Sequence, residues 1–211
     1  MQSLVHVLDF IAPTQCRSCG SRDLIDWRGL LCGGCAATLP TAVRRITGPP
    51  SIAETLAMGP YETPLGVLVQ AAKYDPQLGV VDALGHRLGR ALHGRVDVDA
   101  VVGIPIPRRR RWRRGFCQGE RLARGVAAAT GLLQVACLTR AAGPRQVGQP
   151  AAVRRRLPVS AFSVRDLDLP ERILLIDDVR TTGATLHAAA RALMRRGARH
   201  IWAATVCFQG E

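Results

Sequence analysis

One stretch limits what this chain can fold into more than any other: residues 173–185, reading ILLIDDVRTTGAT. Four consecutive apolar residues have the length and composition of a strand buried on both faces. Asp177 and Asp178 follow at once, so two carboxylates stand where such a strand leaves its sheet. Adjacent like charges repel unless a cation or a set of hydroxyl groups meets them. A sugar diol with a divalent cation nearby would do so. Val179 and Arg180 then lead to Thr181, Thr182, Gly183, Ala184 and Thr185, which open a helix. Gly183 permits a tight turn, three threonine hydroxyls can donate, and the free N–H groups at a helix start attract phosphate. A diol site and a phosphate site thus fall within one turn. The plainer alternative is an aspartate-rich turn in which Thr185 only caps the helix.

The surrounding pattern is that of an α/β protein. A strand over 172–176, a turn over 177–183, a helix over 184–196 stopped by Gly197, and a strand over 200–208 make one βαβ unit. Such units build a parallel sheet covered by helices on both faces, with ligands at the carboxyl ends of its strands. Upstream, 65–72 and 79–92 carry apolar residues at helical spacing, and AVVGIPI at 100–106 reads as a strand. A helix over 120–130 ends at Gly131, and 132–138 reads as a further strand. Residues 139–168 form a long excursion with a short hairpin, of the kind that is usually functional or mobile. A chain of 211 residues holds one such domain and a small satellite. The linker-like Gly48-Pro49-Pro50-Ser51 separates a module over 1–45 from a main domain over 46–211.

The satellite contains Cys16-x-x-Cys19 and Cys32-x-x-Cys35, two pairs twelve residues apart. Two such turns present four thiolates to a tetrahedral Zn²⁺, and four cysteines leave no open position, so the metal is structural. An iron–sulfur cluster or a redox dithiol are the alternatives, and nearby His6 reads as a surface or helix residue. Seven cysteines in all, an odd number, argue against a secreted disulfide framework. No apolar stretch approaches the roughly 20 residues of a membrane span, and the N-terminus lacks a basic n-region. A cytoplasmic protein without membrane insertion is the expectation.

The formal net charge is +13. It suits an anionic partner, nucleic acid, nucleotide or pyrophosphate. A GC-rich coding bias explains the count equally well, since Lys73 is the only lysine, but not the local run Arg108–Arg114. Trp112 inside that run offers a stacking face for a base or a guanidinium.

The acidic pair and its threonine loop resemble the type I phosphoribosyltransferases. That resemblance implies that Asp177 and Asp178 hold the ribose 2′- and 3′-hydroxyls of phosphoribosyl pyrophosphate while Thr181 to Thr185 cradle its 5′-phosphate. With Lys73-Tyr74, Ile104-Pro105-Ile106-Pro107, Arg113-Arg114-Gly115-Phe116-Cys117-Gln118 and Gln149, nearly the whole chain resembles the ComF family of competence-associated proteins. The family implies a type I phosphoribosyltransferase-like parallel sheet flanked by helices, with an N-terminal zinc-ribbon-like module. It implies phosphoribosyl pyrophosphate bound with Mg²⁺, and transfer or release of a phosphoribosyl group. The alternative it carries is a non-catalytic accessory protein of DNA uptake or processing that touches single-stranded DNA or a DNA-processing protein.

By family position Lys73 and Tyr74 are catalytic candidates. Arg113 and Arg114 adjoin the motif and suit the pyrophosphate through bidentate contacts, whereas Arg108 to Arg111 fit a solvated loop as well as a ligand. The family reads RGFNQ where this chain has RGFCQ. Cys117 is then either a thiol activated by neighbouring arginines or a small, partly buried side chain.

Overall fold

The four apolar residues before the aspartates become the middle of a six-stranded sheet. In the computed structural model, which describes residues 15–23, 25–27, 29–74, 79–141 and 158–210, strand β9 spans Arg172–Arg180. Its parallel neighbours are β10 (His200–Phe208) and β5 (Ala100–Gly103). Beyond β10 lies β4 (Glu54–Pro60), parallel, and then β3 (Arg44–Ile46), antiparallel; beyond β5 lies β6 (Leu133–Gln134), parallel. The order is β3-β4-β10-β9-β5-β6. The expected parallel sheet flanked by helices is therefore present.

Ile173, Leu174, Leu175 and Ile176 are all fully buried, and the strand period of two sends them alternately to two cores. Leu174 and Ile176 pack in the core that also holds Leu68, Leu84 and Leu122, from α2 (Leu65–Tyr74), α3 (Val80–Leu92) and α5 (Gln118–Thr130). Ile173 and Leu175 pack in the core that holds Leu186 and Leu193 of α6 (Ala184–Met194). Between β5 and α5 runs the short helix α4 (Arg108–Arg114), none of whose residues is buried.

Several expectations change. β9 does not stop at Ile176: its ladder with β10 continues through Asp177 to Arg180, so the turn shrinks to 181–183. The pairing partner, a long β10, overrides the local charge. The arginine run is a helix rather than a loop, closed by Gly115 at φ 76°. The stretch 132–138 is not one strand: β6 ends at Gln134, and β7 (Leu138–Arg140) pairs antiparallel with β8 (Phe162–Val164), so the strands that pair flank the excursion where a short hairpin at its end was expected. The rest of that excursion, with Gln149, lies outside the described residues, as does His6.

The linker-like 48–51 is folded onto the site-bearing turn. Ser51 Oγ lies 2.8 Å from His187 Nδ1 on α6, and Pro49 lies against Gly183, whose φ of 76° only glycine adopts freely. Beyond it, β4 was not anticipated, because ETLAMGP alternates weakly and gains its strand character from pairing with β10.

The N-terminal part folds as β1 (Ile25–Asp26), β2 (Leu31–Cys32) and helix α1 (Gly33–Ala37). Leu30, Leu31, Leu39 and Val43 share one core with Leu56 and Leu68. Arg87 of α3 donates to the carbonyls of Leu39 (2.6 Å) and Pro40 (2.8 Å). Residue 45, the expected boundary, lies within β3.

Helices α3 and α5 touch backbone to backbone. A Cβ on Gly125 would lie 2.8 Å from Gly85 Cα, and one on Gly85 only 2.6 Å from the Leu122 carbonyl. Gly125→Val should destabilise the protein by about 3 kcal/mol, the upper end of overpacking costs, as read by urea unfolding.

Candidate functional site: a cationic cleft at the carboxyl edge of the sheet

The alternation that builds the two cores also separates the two aspartates. Asp178 continues the Leu174–Ile176 side of β9, toward α2, and Asp177 continues the Ile173–Leu175 side. At the end of α2, Lys73 Nζ reaches Asp178 Oδ2 at 3.1 Å. On the other side, the charge of Arg140 on β7 acts on Asp177. Each carboxylate also accepts a backbone N–H locally: Asp178 N donates to Asp177 Oδ1 (2.9 Å) and Val179 N to Asp178 Oδ1 (2.8 Å).

These groups open on one cleft of about 470 Å³. Lys73, Tyr74, Arg113, Arg114, Asp177, Asp178, Val179 and Thr185, all read from sequence, line it together. Thr181, Thr182, Gly183 and Ala184 form the turn and helix start beside it but are not among its lining residues. Three further lining side chains were missed or left open: Arg110, Gln118 and Arg140. Arg140 sits far in sequence from every motif, so only the β7–β8 pairing brings it in.

Burial, and then the charge of Asp178, hold the Asp177 carboxyl well above the usual carboxylate range, with Arg140 opposing. Burial depresses the Arg140 guanidinium, which feels Asp177 as a stabilising charge and Arg110 as a repelling one. Under the strand end, burial pushes the Cys207 thiol up to about 12, with Asp178 adding to it.

Arg180, only 6% exposed, fastens the turn from behind. It donates to the carbonyls of Thr47 (2.9 Å from Nε), Thr181 (3.2 Å) and Gly210 (2.9 Å). At the start of α6 no side chain of the N-cap Gly183 accepts a hydrogen bond, and Thr182 Oγ1 meets Ala184 N at 3.4 Å. Thr185 is on the helix and faces the cleft; it is not the cap.

Comparison with known proteins follows this geometry. No protein-family model matches the sequence. The DNA utilization protein YhgH of Salmonella typhimurium is 31% identical over 175 residues, covering 78% of this chain and 76% of that protein. The chain belongs to the ComF family. The competence protein F of Haemophilus influenzae is 27% identical over 197 residues, 88% of this chain and 81% of that one. Among solved structures, an allosteric regulatory enzyme of purine biosynthesis aligns with a TM-score of 0.45, 16% identity and 65% of this chain. A glutamine phosphoribosylpyrophosphate amidotransferase from B. subtilis aligns with a TM-score of 0.45 and 20% identity. This chain spans 30% of each of those two chains.

Of the two readings of Cys117, the inert one fits the structure. Cys117 is buried, its Sγ lies 3.6 Å from the Ile104 carbonyl as a donor, and burial raises its thiol. The neighbouring arginines do not activate it. The adjoining Gln118 is buried at the start of α5 and lines the cleft, so an amide is still offered one residue along.

Further residues read from the sequence lie on the surface and at the N-terminus. Trp112 is 88% exposed on α4 and, with Arg109, Arg110 and Arg113, borders a second hollow of about 410 Å³. Arg111 is paired with Glu120 at 2.8 Å. The ligand atoms of Cys16, Cys19, Cys32 and Cys35 all lie within 4.8 Å of one another, and Cys19 Sγ is 3.7 Å from Cys32 Sγ. Thiolates on a tetrahedral metal at a Zn–S distance of about 2.3 Å stand about 3.8 Å apart. The four cysteines can hold a metal ion, and among the described residues no helix is long and apolar enough to cross a membrane.

A carboxyl whose pKa is raised on folding weakens the fold as pH rises. The folded state keeps a proton that the unfolded state has released, starting near the ordinary aspartate value of about 3.9 and continuing up to the raised value. Asp177→Asn should remove this decline, leaving the variant more stable than wild type near neutral pH and equal to it near pH 4, roughly the unfolded pKa, as read by urea unfolding across that range.

Proposed function

We propose that this protein binds phosphoribosyl pyrophosphate in the cleft and transfers or releases its phosphoribosyl group, as a pentosyl-type glycosyltransferase. The observation that carries the reading is the convergence of three sequence-distant parts on one cleft. These are the acidic pair at the end of β9, the start of α6 at Thr185, and the guanidinium groups of Arg113 and Arg114 on α4. In this reading Asp177 and Asp178 receive the ribose hydroxyls, and Thr181 to Thr185 with the α6 N-terminus receive the 5′-phosphate. Arg113, Arg114 and Arg110 receive the pyrophosphate.

Such a reaction breaks the C1–O bond to pyrophosphate and forms a bond from C1 to the acceptor nucleophile, through an oxocarbenium-like state. The protein mainly positions the reactants and stabilises the departing charge. Arg114 Nε supports this, being a buried donor without a hydrogen-bond partner among the described residues. Mg²⁺ accompanying phosphoribosyl pyrophosphate would supply charge neutralisation to the departing pyrophosphate beside Arg110, Arg113 and Arg114. Zn²⁺ in the four-cysteine cluster is structural, and the chain is read as a zinc module over 1–45 with the phosphoribosyl-binding domain over 46–211, working in the cytoplasm.

Calorimetry with phosphoribosyl pyrophosphate and Mg²⁺ should show binding by wild type and a loss of at least tenfold, about 1.4 kcal/mol, in Asp177→Ala/Asp178→Ala. Equal binding by both would refute the reading. A screen of nucleobases for pyrophosphate release then divides an enzyme from a ligand-binding accessory.

The second reading, an accessory protein of DNA uptake or processing, draws on the exposed Trp112 among six arginines of α4 and on the names of the relatives. Its partner would be single-stranded DNA, stacked on Trp112 with its phosphates on α4. Affinity for an oligonucleotide should then fall steeply with salt, and Trp112→Ala should cost about 1–3 kcal/mol. A flat salt response would take α4 out of DNA binding.

A further inference from the structure

Asp178 already has a cation. The Lys73–Asp178 pair is largely withdrawn from solvent, the two side chains being 24% and 18% exposed. The ammonium is also held from behind, 5.8 Å from the centroid of the Tyr61 ring. The remaining oxygen of Asp178 accepts the Val179 N–H, and Asp177 accepts the Asp178 N–H. Neither carboxylate is left bare, and the pair is spread to opposite sides of β9 by strand alternation.

The rest of the cleft points the same way. Five cationic side chains, Lys73, Arg110, Arg113, Arg114 and Arg140, share it with these two carboxyl groups. A divalent ion on the acids would stand beside the Lys73 ammonium and would repel it twice as strongly as a single charge does. Mg²⁺ also demands near-octahedral oxygen ligands and gives up water reluctantly. The residues present do not fit a protein-held Mg²⁺ at the acidic pair.

We infer that Lys73 stands in for a divalent cation at the acidic pair, so that the ribose phosphate half of the ligand binds without metal. This rests on the reading that Asp177 and Asp178 hold the ribose. Lys73 is then a positioning residue: it fixes Asp178 Oδ2, neutralises it, and leaves the carboxylate oriented toward the diol. Any Mg²⁺ that accompanies phosphoribosyl pyrophosphate is brought by the pyrophosphate alone.

The test uses ribose 5-phosphate, which carries no pyrophosphate to import the metal. Calorimetry is run on wild type, Lys73→Met, Lys73→Arg and Asp177→Ala/Asp178→Ala, in EDTA and in Mg²⁺, with thermal melts confirming that each variant is folded. Wild type and Lys73→Arg should bind with affinities that differ less than about threefold between the two buffers, well under the 1.4 kcal/mol of a decade. Lys73→Met, which keeps the apolar stem beside Tyr61, should lose at least about tenfold in EDTA and regain most of it in Mg²⁺, because the freed Asp178 can then take a dication. A wild type that needs Mg²⁺, or a Lys73→Met that binds in EDTA as wild type does, overturns the inference. Undiminished binding by the double aspartate variant overturns the ribose reading as well, whereas its loss alongside a metal-requiring wild type overturns the role of Lys73 alone.

Discussion

Burial of β9 on both faces is the constraint on which the other features depend. A central parallel strand has no solvent side, so Ile173 to Ile176 must be apolar at every position and must divide between two cores. That parity does not end where the apolar run ends. Because β10 keeps pairing as far as Arg180, Asp177 and Asp178 inherit the same alternation and face different elements. One sequence dipeptide thereby becomes two chemically different carboxyl groups.

Their environments differ accordingly. Asp177, part-buried at the end of the strand and beside a like charge, is pushed toward its neutral form. Asp178 meets the Lys73 ammonium at 3.1 Å and stays compensated. Repulsion between neighbouring carboxylates, the difficulty posed by the bare sequence, is eased in two ways at once, by disfavouring one charge and pairing the other. The arginines of the cleft then outnumber its unpaired carboxyl groups, so the cleft carries positive potential that favours an anion.

The arginine helix and the folded-over segment 48–51 show how loops are recruited to such a floor. Six of the seven residues of α4 are arginine, and none is buried, so nothing in the core holds it. It is placed by the chain entering from β5 and by Gly115 turning into α5. On the opposite side Pro49 and Ser51 brace the turn and α6 through Gly183 and His187. Arg180 ties the same turn to the Thr47 and Gly210 carbonyls. The braced part of the site is thus the turn and the start of α6, and the solvent-facing part is the arginine helix.

Sequence by itself determined the elements whose signals are local. The buried strand, the aspartates at its end, the glycine turn and the helix after it, both cysteine pairs and the β10 strand were legible because strand parity, glycine at positive φ and cysteine spacing act within a few residues. Tertiary structure alone decided the rest. The extension of β9 through the aspartates came from a neighbouring strand, β4 owed its existence to the same neighbour, and Arg140 entered the cleft by way of a hairpin. The pairing of Lys73 with Asp178, and the burial that silences Cys117, were likewise set by where α2 and α5 pack. These are contacts across more than a dozen residues, for which no local pattern of polarity carries the information.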